Sequence, residues 1–259
     1  MKLLVLVDNA TYIDVDVMGE PGVSIYLEDG DQRILFDMGI TDLFLKNAAF
    51  FGVDLSGVTQ SALSHGHYDH TRGLTAWVRQ PYAKTIPLIA HPDCFRTRFE
   101  GKRDIGSPFS AQELAKRLPL RLTREPVRMS RHIVYLGEIP RVTDFEEGRL
   151  GDDPLPDDTA LACETKDGLF LITGCSHSGI CNIMERAKEV CREQRIAGVL
   201  GGFHLFGRSR QLEKTIEYFE TNGIRNLYPC HCVDFEAKAA IHSRIPIHEV
   251  ASGFSIELD

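Results

Sequence analysis

Hydrophobic and polar positions change their spacing along the chain, and this change predicts the order of strands and helices. The segment MKLLVLVDNATY has a short apolar run before Asp8, which predicts a first strand. GVSIYLEDGDQRILFDMG has two apolar runs around residues 29–31 and predicts a hairpin. TDLFLKNAAFFG predicts a helix that ends at Gly52, and VTQSALSHGH and IPLIAH predict two short buried strands.

The second half of the chain follows the same order. TALACETKDGLFLITGC predicts a hairpin around residues 166–168. GICNIMERAKEVCREQ, RQLEKTIEYFETNG and FEAKAAIHS predict helices, IAGVLGGFHL and NLYPCHC predict strands, and HEVASGFSIELD predicts a final strand pair. We therefore expect an α/β fold of two similar halves, with sheets inside and helices outside. With no linker visible, we expect one domain over residues 1–259, with a basic, irregular insertion at about 92–156.

Histidines cluster where predicted strands end. Residues 65–70, residues 175–177, His204 and His231 each follow a predicted strand directly. In α/β proteins the loops that leave the strand ends are the usual place for binding and catalytic residues. We expect these four loops to converge on one rim.

Charge and cysteine content narrow the class of protein. A net charge of −8 argues against non-specific nucleic-acid binding and against an anionic membrane surface. The first apolar run is too short for a signal-peptide core, so we expect a cytoplasmic protein. The seven cysteines form no CxxC pair and are expected to be free thiols. Residues 96–131 hold ten Lys or Arg against four acids, which is typical of either a solvated helical segment or a basic flap that attracts an anion.

The segment SHGHYDHTRGL has the composition of a metal site. Side chains two apart in an extended chain point the same way, so His65 and His67 can bind one ion from one side. Asp69 and His70, beyond the next turn, can face a second ion. A single histidine beside an apolar strand is usually structural, but burying four such groups without a metal would be costly. Imidazole and carboxylate ligands suit Zn, Mn and Fe.

This motif resembles the H-x-H-x-D-H signature of the metallo-β-lactamase fold. ILFDMG is similar to an earlier motif of that superfamily, with Asp37 as the carboxylate behind the metal loop. GEIPRVTDFE, LPDDTALAC, LFLITGCSHSGICNI, VLGGFHL and LYPCHC resemble its dihydropterin synthase-like subgroup. The resemblance covers nearly the whole chain and implies a four-layer αββα sandwich.

The resemblance also implies ligands for one or two divalent ions, with zinc expected ahead of manganese or iron. His65, His67 and His177 should bind the first ion, and Asp69, His70 and His231 the second. The expected ligands are therefore His65, His67, Asp69, His70 and His231, which the resemblance implies, and His177, which is expected as a substitute.

The chain departs from the superfamily pattern at three places, one of which is a pair of neighbouring residues. Asp157 and Asp158 stand where members commonly have a histidine, and His177 is expected to replace that ligand. Cys175 stands where an aspartate commonly bridges both metals, and it either bridges as a thiolate or, as we favour, lines the pocket. Arg72 replaces a common glycine and is expected to place a cation near the metals.

These features predict a metal-dependent hydrolase, by preference a phosphoesterase, acting on an anionic small molecule through a metal-activated hydroxide. Arg72, the basic segment and the start of the helix near residues 178–179 each favour an anionic substrate. Asp69 and His204 are the expected catalytic residues, although His204 is also compatible with a buried structural histidine. Two alternatives are a transferase that joins a pterin diphosphate to an aromatic amine, and a non-catalytic metal-binding protein. A homodimer is compatible with the sequence.

Overall fold

The computed structural model describes residues 1–146, 148–149 and 153–259. The strands formed by these residues are β1 (Lys2–Val7), β2 (Ser24–Asp29), β3 (Gln32–Phe36), β4 (Gln60–Ala62), β5 (Leu88–Ala90), β6 (Phe99–Glu100), β7 (Arg103–Asp104), β8 (Leu120–Leu122), β9 (Val127–Arg128), β10 (Ile133–Tyr135), β11 (Ala160–Thr165), β12 (Gly168–Thr173), β13 (Ile196–Gly201), β14 (Leu227–Pro229) and β15 (Ser255–Glu257). The α-helices are α1 (Leu43–Phe50), α2 (Tyr68–Thr71), α3 (Leu74–Trp77), α4 (Ala111–Ala115), α5 (Ile180–Cys191), α6 (Arg210–Thr221) and α7 (Phe235–Arg244). Short 3-10 helices lie at Leu55–Gly57, Pro81–Thr85 and Pro92–Phe95. Over this described part of the chain, no helix is long and apolar enough to cross a lipid bilayer.

The first compact unit comprises residues 1–124 and 251–258, all of which are described. Its main sheet has seven strands in the order β15-β1-β2-β3-β4-β5-β8. Pairing is antiparallel from β15 to β3 and parallel from β3 to β8. Leu3 stands opposite Leu27 on one side and Ile256 on the other, which sets the register of β1. Helix α1 packs against β1, where Phe44 is fully buried.

The second compact unit comprises residues 125–250 and 259. Its described residues form a six-stranded sheet in the order β14-β13-β12-β11-β10-β9, in which β12, β13 and β14 are parallel. Helix α6 begins after Ser209, whose hydroxyl accepts a hydrogen bond from the Leu212 amide at 3.1 Å. Its apolar stripe at Leu212, Ile216 and Phe219 is buried, as helical periodicity requires. Helix α5 packs on β11 and β12 and against α6.

In each sheet the predicted site residues follow the carboxyl ends of neighbouring parallel strands. In the first unit β3 leads to Asp37 and its parallel neighbour β4 leads to residues 65–70. In the second unit β12, β13 and β14 lead to residues 175–177, His204 and His231. Parallel strands end on the same edge of a sheet, so each unit gathers its own site residues on one edge.

Most predicted elements agree with the structure, and the C-terminal prediction is wrong. The two hairpins form as antiparallel pairs, β2 with β3 and β11 with β12. The segment HEVASGFSIELD forms one strand, β15, whose partner is β1 at the other end of the chain, rather than a strand pair of its own. Of the insertion predicted at about 92–156, the described part contains β6 to β10 and α4, and residues 147 and 150–152 lie outside the described residues. The prediction of one domain over residues 1–259 stays a prediction.

Candidate functional site

The predicted metal loop of the first unit connects β4 to α2. His65, His67 and His70 are buried, and the Asp69 side chain is 17% exposed. His65 Nε2 lies 3.0 Å from His67 Nδ1, and His70 Nε2 lies 3.7 Å from an Asp69 carboxylate oxygen. Gly66 allows this close packing, because a Cβ there would overlap the carbonyl of the neighbouring 3-10 helix. The four donor side chains therefore form one compact group within the first unit.

Asp37 determines which ring nitrogens this group presents. Its carboxylate accepts hydrogen bonds from the Ser64 amide at 2.7 Å, the Ser64 hydroxyl at 2.6 Å and His70 Nδ1 at 2.7 Å. A carboxylate can only accept, so His70 Nδ1 carries the proton and Nε2 has the lone pair. The Ser64 proton is directed to Asp37, so His65 Nδ1, 2.9 Å from that hydroxyl oxygen, must donate to it. Both histidines thus present Nε2 as the atom able to bind a metal, and Asp37 contacts the loop at Ser64 and His70.

Arg72 is held by its own neighbours in the first unit. Its guanidinium lies 5.0 Å from the centre of the Tyr68 ring and donates a hydrogen bond to the Asp104 carbonyl at 2.8 Å. Arg103 stacks on the same ring at 4.6 Å and donates to the Tyr68 hydroxyl at 2.7 Å. Cation–π contacts of this kind stabilise by about 0.5–1 kcal/mol when exposed. Arg72 therefore connects α2 to the β6–β7 hairpin.

The second unit places its predicted ligands around Cys175. The Cys175 thiol lies within 4.8 Å of a ring nitrogen of His177 and within 4.8 Å of one of His231. Two hydrogen bonds hold this loop. The Ser176 hydroxyl donates to the Gly202 carbonyl at 2.6 Å. The Cys232 thiol donates to the Cys175 carbonyl at 3.4 Å. A thiol and two imidazoles are therefore gathered within this unit, and all three are zinc-ligand types.

Asp158 supports a predicted metal loop through a serine, as Asp37 does. Asp37 accepts hydrogen bonds from Ser64, directly before His65, and Asp158 accepts them from Ser178, directly after His177. Its Oδ2 atom accepts from the Ser178 amide at 2.7 Å and from the Ser178 hydroxyl at 2.5 Å. Burial raises the pKa of Asp158 to about 6, although the hydrogen bonds from Ser178 act in the opposite direction. Within the described residues, Oδ1 of Asp158 has no hydrogen-bond partner. Asp158 thus holds the 175–177 loop through Ser178.

Arg141 holds the same loop from another direction. Its Nη2 donates to the carbonyls of Gly148 at 3.1 Å and His177 at 3.5 Å, and to that of Pro154. Gly148 lies so close to His177 that a Cβ would overlap the His177 carbonyl. The backbone of His177 is therefore held by contacts with Arg141 and Gly148, which the sequence around His177 does not predict.

His204 lies next to His177 in the second unit. The two ring centroids are 4.3 Å apart, and the Phe206 ring stands edge-on to His204 at 4.9 Å. His204 is partly exposed, so it is not the fully buried structural histidine that the sequence left open. Its position makes it available to a molecule bound beside His177.

Several site residues have a left-handed backbone. Among the described residues, Asp37, Ser176, His204 and His231 have φ between +50° and +59°. Such conformations cost non-glycine residues free energy and cluster at functional sites. Three of these residues, Ser176, His204 and His231, lie in loops that the histidine pattern predicted.

The start of α5 is already occupied by a carboxylate of the protein. Glu146 is 1% exposed and accepts hydrogen bonds from the amides of Cys181 and Asn182, both at 2.9 Å. Burial raises the pKa of Glu146, and these amide hydrogen bonds oppose that effect. A Cβ on Gly179 would overlap the Glu146 carboxylate. The expectation that this helix end is a seat for substrate phosphate is therefore wrong, because Glu146 fills it.

Part of the basic 96–131 segment is also paired internally. Arg96 and Arg124 form ion pairs with Asp93 at 2.9 and 3.1 Å, and Arg128 pairs with Glu164 at 2.8 Å. These three cations are therefore engaged with carboxylates of the protein itself.

Sequence reasoning missed several residues that support the loops. Ser64 directly precedes His65, and this position beside the predicted metal ligands was the only indication in the sequence that it supports them. Arg98 is 4% exposed and its guanidinium lies against Gly66, a placement that no local pattern indicates. Glu146 and Arg141 act on residues far along the chain, so only the folded structure identifies them.

Comparison with known proteins gives one family. The profile described as the Metallo-beta-lactamase superfamily matches residues 17–187. The chain is 34% identical over 243 residues to the uncharacterized protein MJ0448 of Methanocaldococcus jannaschii, covering 90% of this chain and 91% of that protein. It is 27% identical over 263 residues to the 7,8-dihydropterin-6-methyl-4-(beta-D-ribofuranosyl)-aminobenzene-5'-phosphate synthase of the same organism, covering 92% and 89%.

A solved structure gives the same result for the fold. Tm1679, described as a metal-dependent hydrolase of the beta-lactamase superfamily, is similar with a TM-score of 0.84 and 30% identity, covering 100% of this chain and 99% of its own. This likeness confirms the predicted resemblance and the predicted fold class.

Proposed function

Because the chain belongs to the metallo-beta-lactamase superfamily, whose members are generally metal-dependent hydrolases, we propose that it hydrolyses an anionic, phosphorylated small molecule with the help of bound metal. The observation that carries this proposal is the donor group of the first unit. His65 and His70 are buried with the proton on Nδ1 and Nε2 unprotonated, because Asp37 accepts from His70 directly and acts on His65 through Ser64. Buried imidazoles with directed lone pairs, next to the Asp69 carboxylate, suit a divalent cation.

The residues of both units supply suitable ligands for one or two ions. His65, His67, Asp69 and His70 form the group of the first unit. In the second unit the Cys175 thiol lies within 4.8 Å of a ring nitrogen of His177 and within 4.8 Å of one of His231, which favours the thiol as a ligand rather than only a pocket wall. A mixed set of imidazole, carboxylate and thiolate favours zinc over manganese, since thiolate is a soft ligand.

When bound, a divalent ion supplies a nucleophile from water near neutral pH, because coordination lowers the pKa of water to about 7. Asp69, the motif carboxylate that solvent reaches, accepts the proton of the attacking water. His204, beside His177, gives a proton to the leaving-group oxygen. Asp37 keeps the proton of His70 on Nδ1 throughout, which preserves the orientation of the ring.

The test is metal content and phosphoester hydrolysis, measured together on the same preparations. The wild type should hold one or two zinc ions per chain and hydrolyse members of a panel of phosphomonoesters and phosphodiesters. His67→Ala and His177→Ala should each lose metal and activity, because each removes a proposed ligand. His242→Ala is the matched control, since His242 is exposed on α7 and should change neither quantity. Full zinc loading without hydrolysis of any ester would overturn the proposal, and unchanged metal content in His177→Ala would remove His177 from the ligand set.

A second candidate is a transferase that joins a pterin diphosphate to an aromatic amine. It is favoured by the 27% identity to the Methanocaldococcus jannaschii synthase over 92% of this chain. Both candidates need metal and recognition of an anion. Product formation that requires both the pterin diphosphate and the amine, with no hydrolysis of simple phosphoesters, would favour the transferase.

A further inference from the structure

The second unit contains a cavity of about 490 Å³ that begins at His204. Its lining includes Arg149, residues 204–206, Arg210 and Gln211, and we call it the arginine pocket. A cavity of 300–1,000 Å³ is the usual size for a small-molecule site. His204 connects the pocket to His177, since the two rings lie 4.3 Å apart.

The arginine pocket has an excess of positive charge. Arg149 and Arg210 line it, and the acidic residue among the described lining is Asp144. Asp144 pairs with Arg210 at 3.7 Å, but the two side chains are 87% and 71% exposed. So exposed a pair contributes little to stability, and a ligand anion that contacts the guanidinium groups of Arg149 and Arg210 can replace it.

The lining of the pocket includes an exposed aromatic ring, that of Phe206. Phe206 is 52% exposed and its ring stands at 86° to that of His204, so part of its surface is open to a flat group. Two other features expected to bind an anion are engaged within the protein. Glu146 occupies the start of α5, and the Arg72 guanidinium stacks on Tyr68.

We propose that the arginine pocket recognises a second anionic group of the substrate, with a planar ring between this group and the phosphoryl group that reacts. The inference rests on the proposed function and names its substrate class: a ring-bearing phosphate ester with an additional carboxylate or phosphate. Arg149 and Arg210 bind the additional anion, and Phe206 packs on the ring.

The experiment compares esters that differ only in the second anion. Phenyl phosphate has a ring and one phosphate, 4-carboxyphenyl phosphate adds a carboxylate, and 1,4-phenylene bisphosphate adds a phosphate. The zinc-loaded wild type should favour one or both doubly anionic esters in kcat/KM. In Arg149→Met and Arg210→Met this preference should fall at least about tenfold, mainly through KM, because a charge-assisted hydrogen bond is lost.

Arg208→Met is the matched control. Arg208 is an exposed arginine of the same segment that is not among the lining residues, so its replacement should keep the wild-type preference. Equal kcat/KM for the three esters in the wild type, or the same preference in all variants, would overturn the proposal. If the arginine variants lose the preference for 4-carboxyphenyl phosphate, the pocket takes a carboxylate. If they lose the preference for 1,4-phenylene bisphosphate, it takes a phosphate.

Binding without turnover separates this inference from the proposed function. The phosphonate analogue 4-carboxyphenylphosphonate is not hydrolysed, and its affinity can be measured by calorimetry. If no ester is hydrolysed but Arg149→Met weakens binding of the phosphonate about tenfold and Arg208→Met does not, the pocket stands and the hydrolase proposal fails. If esters are hydrolysed and binding is the same in every variant, the hydrolase proposal stands and the pocket fails.

Discussion

Replacing Asp37 by Asn changes one atom of the side chain but reverses a hydrogen bond behind the predicted metal loop. The Ser64 amide, 2.7 Å from Oδ1, must keep an oxygen as its acceptor. The new amide NH2 group then takes the place of Oδ2, which lies 2.7 Å from His70 Nδ1. An NH2 group only donates, so His70 Nδ1 has to accept and its proton moves to Nε2. The atom proposed to bind the ion loses its lone pair.

The expected loss of metal affinity is about 10- to 100-fold, the usual effect of removing a partner that orients a ligand histidine. This corresponds to about 1.4–2.7 kcal/mol. Folding should suffer less, because Asn retains the bond from the Ser64 amide and its amide can still donate to the Ser64 hydroxyl. A destabilisation of about 1–2 kcal/mol is expected for the changed buried hydrogen bonds.

The assay is zinc affinity by competition with a chromogenic chelator, with urea unfolding of the metal-free protein measured in parallel. Asp8→Asn is the matched control, since Asp8 is a buried carboxylate of the same unit that accepts from the Ala10 amide at 3.0 Å. It should lose stability without losing zinc affinity. Wild-type zinc affinity in folded Asp37→Asn would refute the reasoning, as would an equal loss in Asp8→Asn.

Three further predictions concern the second unit. Burial raises the pKa of Asp158 to about 6 from 3.8, so the folded metal-free protein holds a proton that the unfolded chain releases. Its stability should therefore fall by about 2 kcal/mol as pH rises from 4 to 6, a fall that Asp158→Asn lacks; parallel urea-unfolding profiles of the two proteins would contradict this. Glu146→Ala leaves two buried amides at the start of α5 without their acceptor and should lower the free energy of unfolding by about 2–5 kcal/mol in urea; a loss below about 0.5 kcal/mol would show that water replaces the carboxylate. Lys188→Met removes a buried ammonium with three hydrogen bonds, one within α5 to Glu185 and two to Tyr218 and Asn222 at the end of α6. It should cost about 1–3 kcal/mol in thermal unfolding, and an unchanged Tm would be inconsistent with that network.

Local pattern was enough for most of the fold. The alternation around residues 29–31 predicts the β2–β3 hairpin because a strand's two faces repeat every two residues. The apolar spacing of α6 predicts its buried face for the same kind of reason, with a period of 3.6 residues. The wrong prediction at β15 shows the limit of such patterns. The partner of β15 is β1, which begins at Lys2, and the residues of β15 do not by themselves indicate pairing with a strand at the other end of the chain.

For the candidate site, too, the sequence determined one part and the tertiary structure decided the other. By itself the sequence determined the donor residues of the metal loop, since their spacing and type are local properties of SHGHYDHTRGL, and it indicated Asp37 only through a resemblance. The tertiary structure alone decided how those donors are oriented and which cations and helix ends remain available. Asp37 reaches Ser64 across 27 residues, and Glu146 reaches the start of α5 across 35. The direction of a lone pair and the occupancy of a helix end depend on such distant partners, and hydrogen bonds between them form only when the folded chain brings them within about 3 Å.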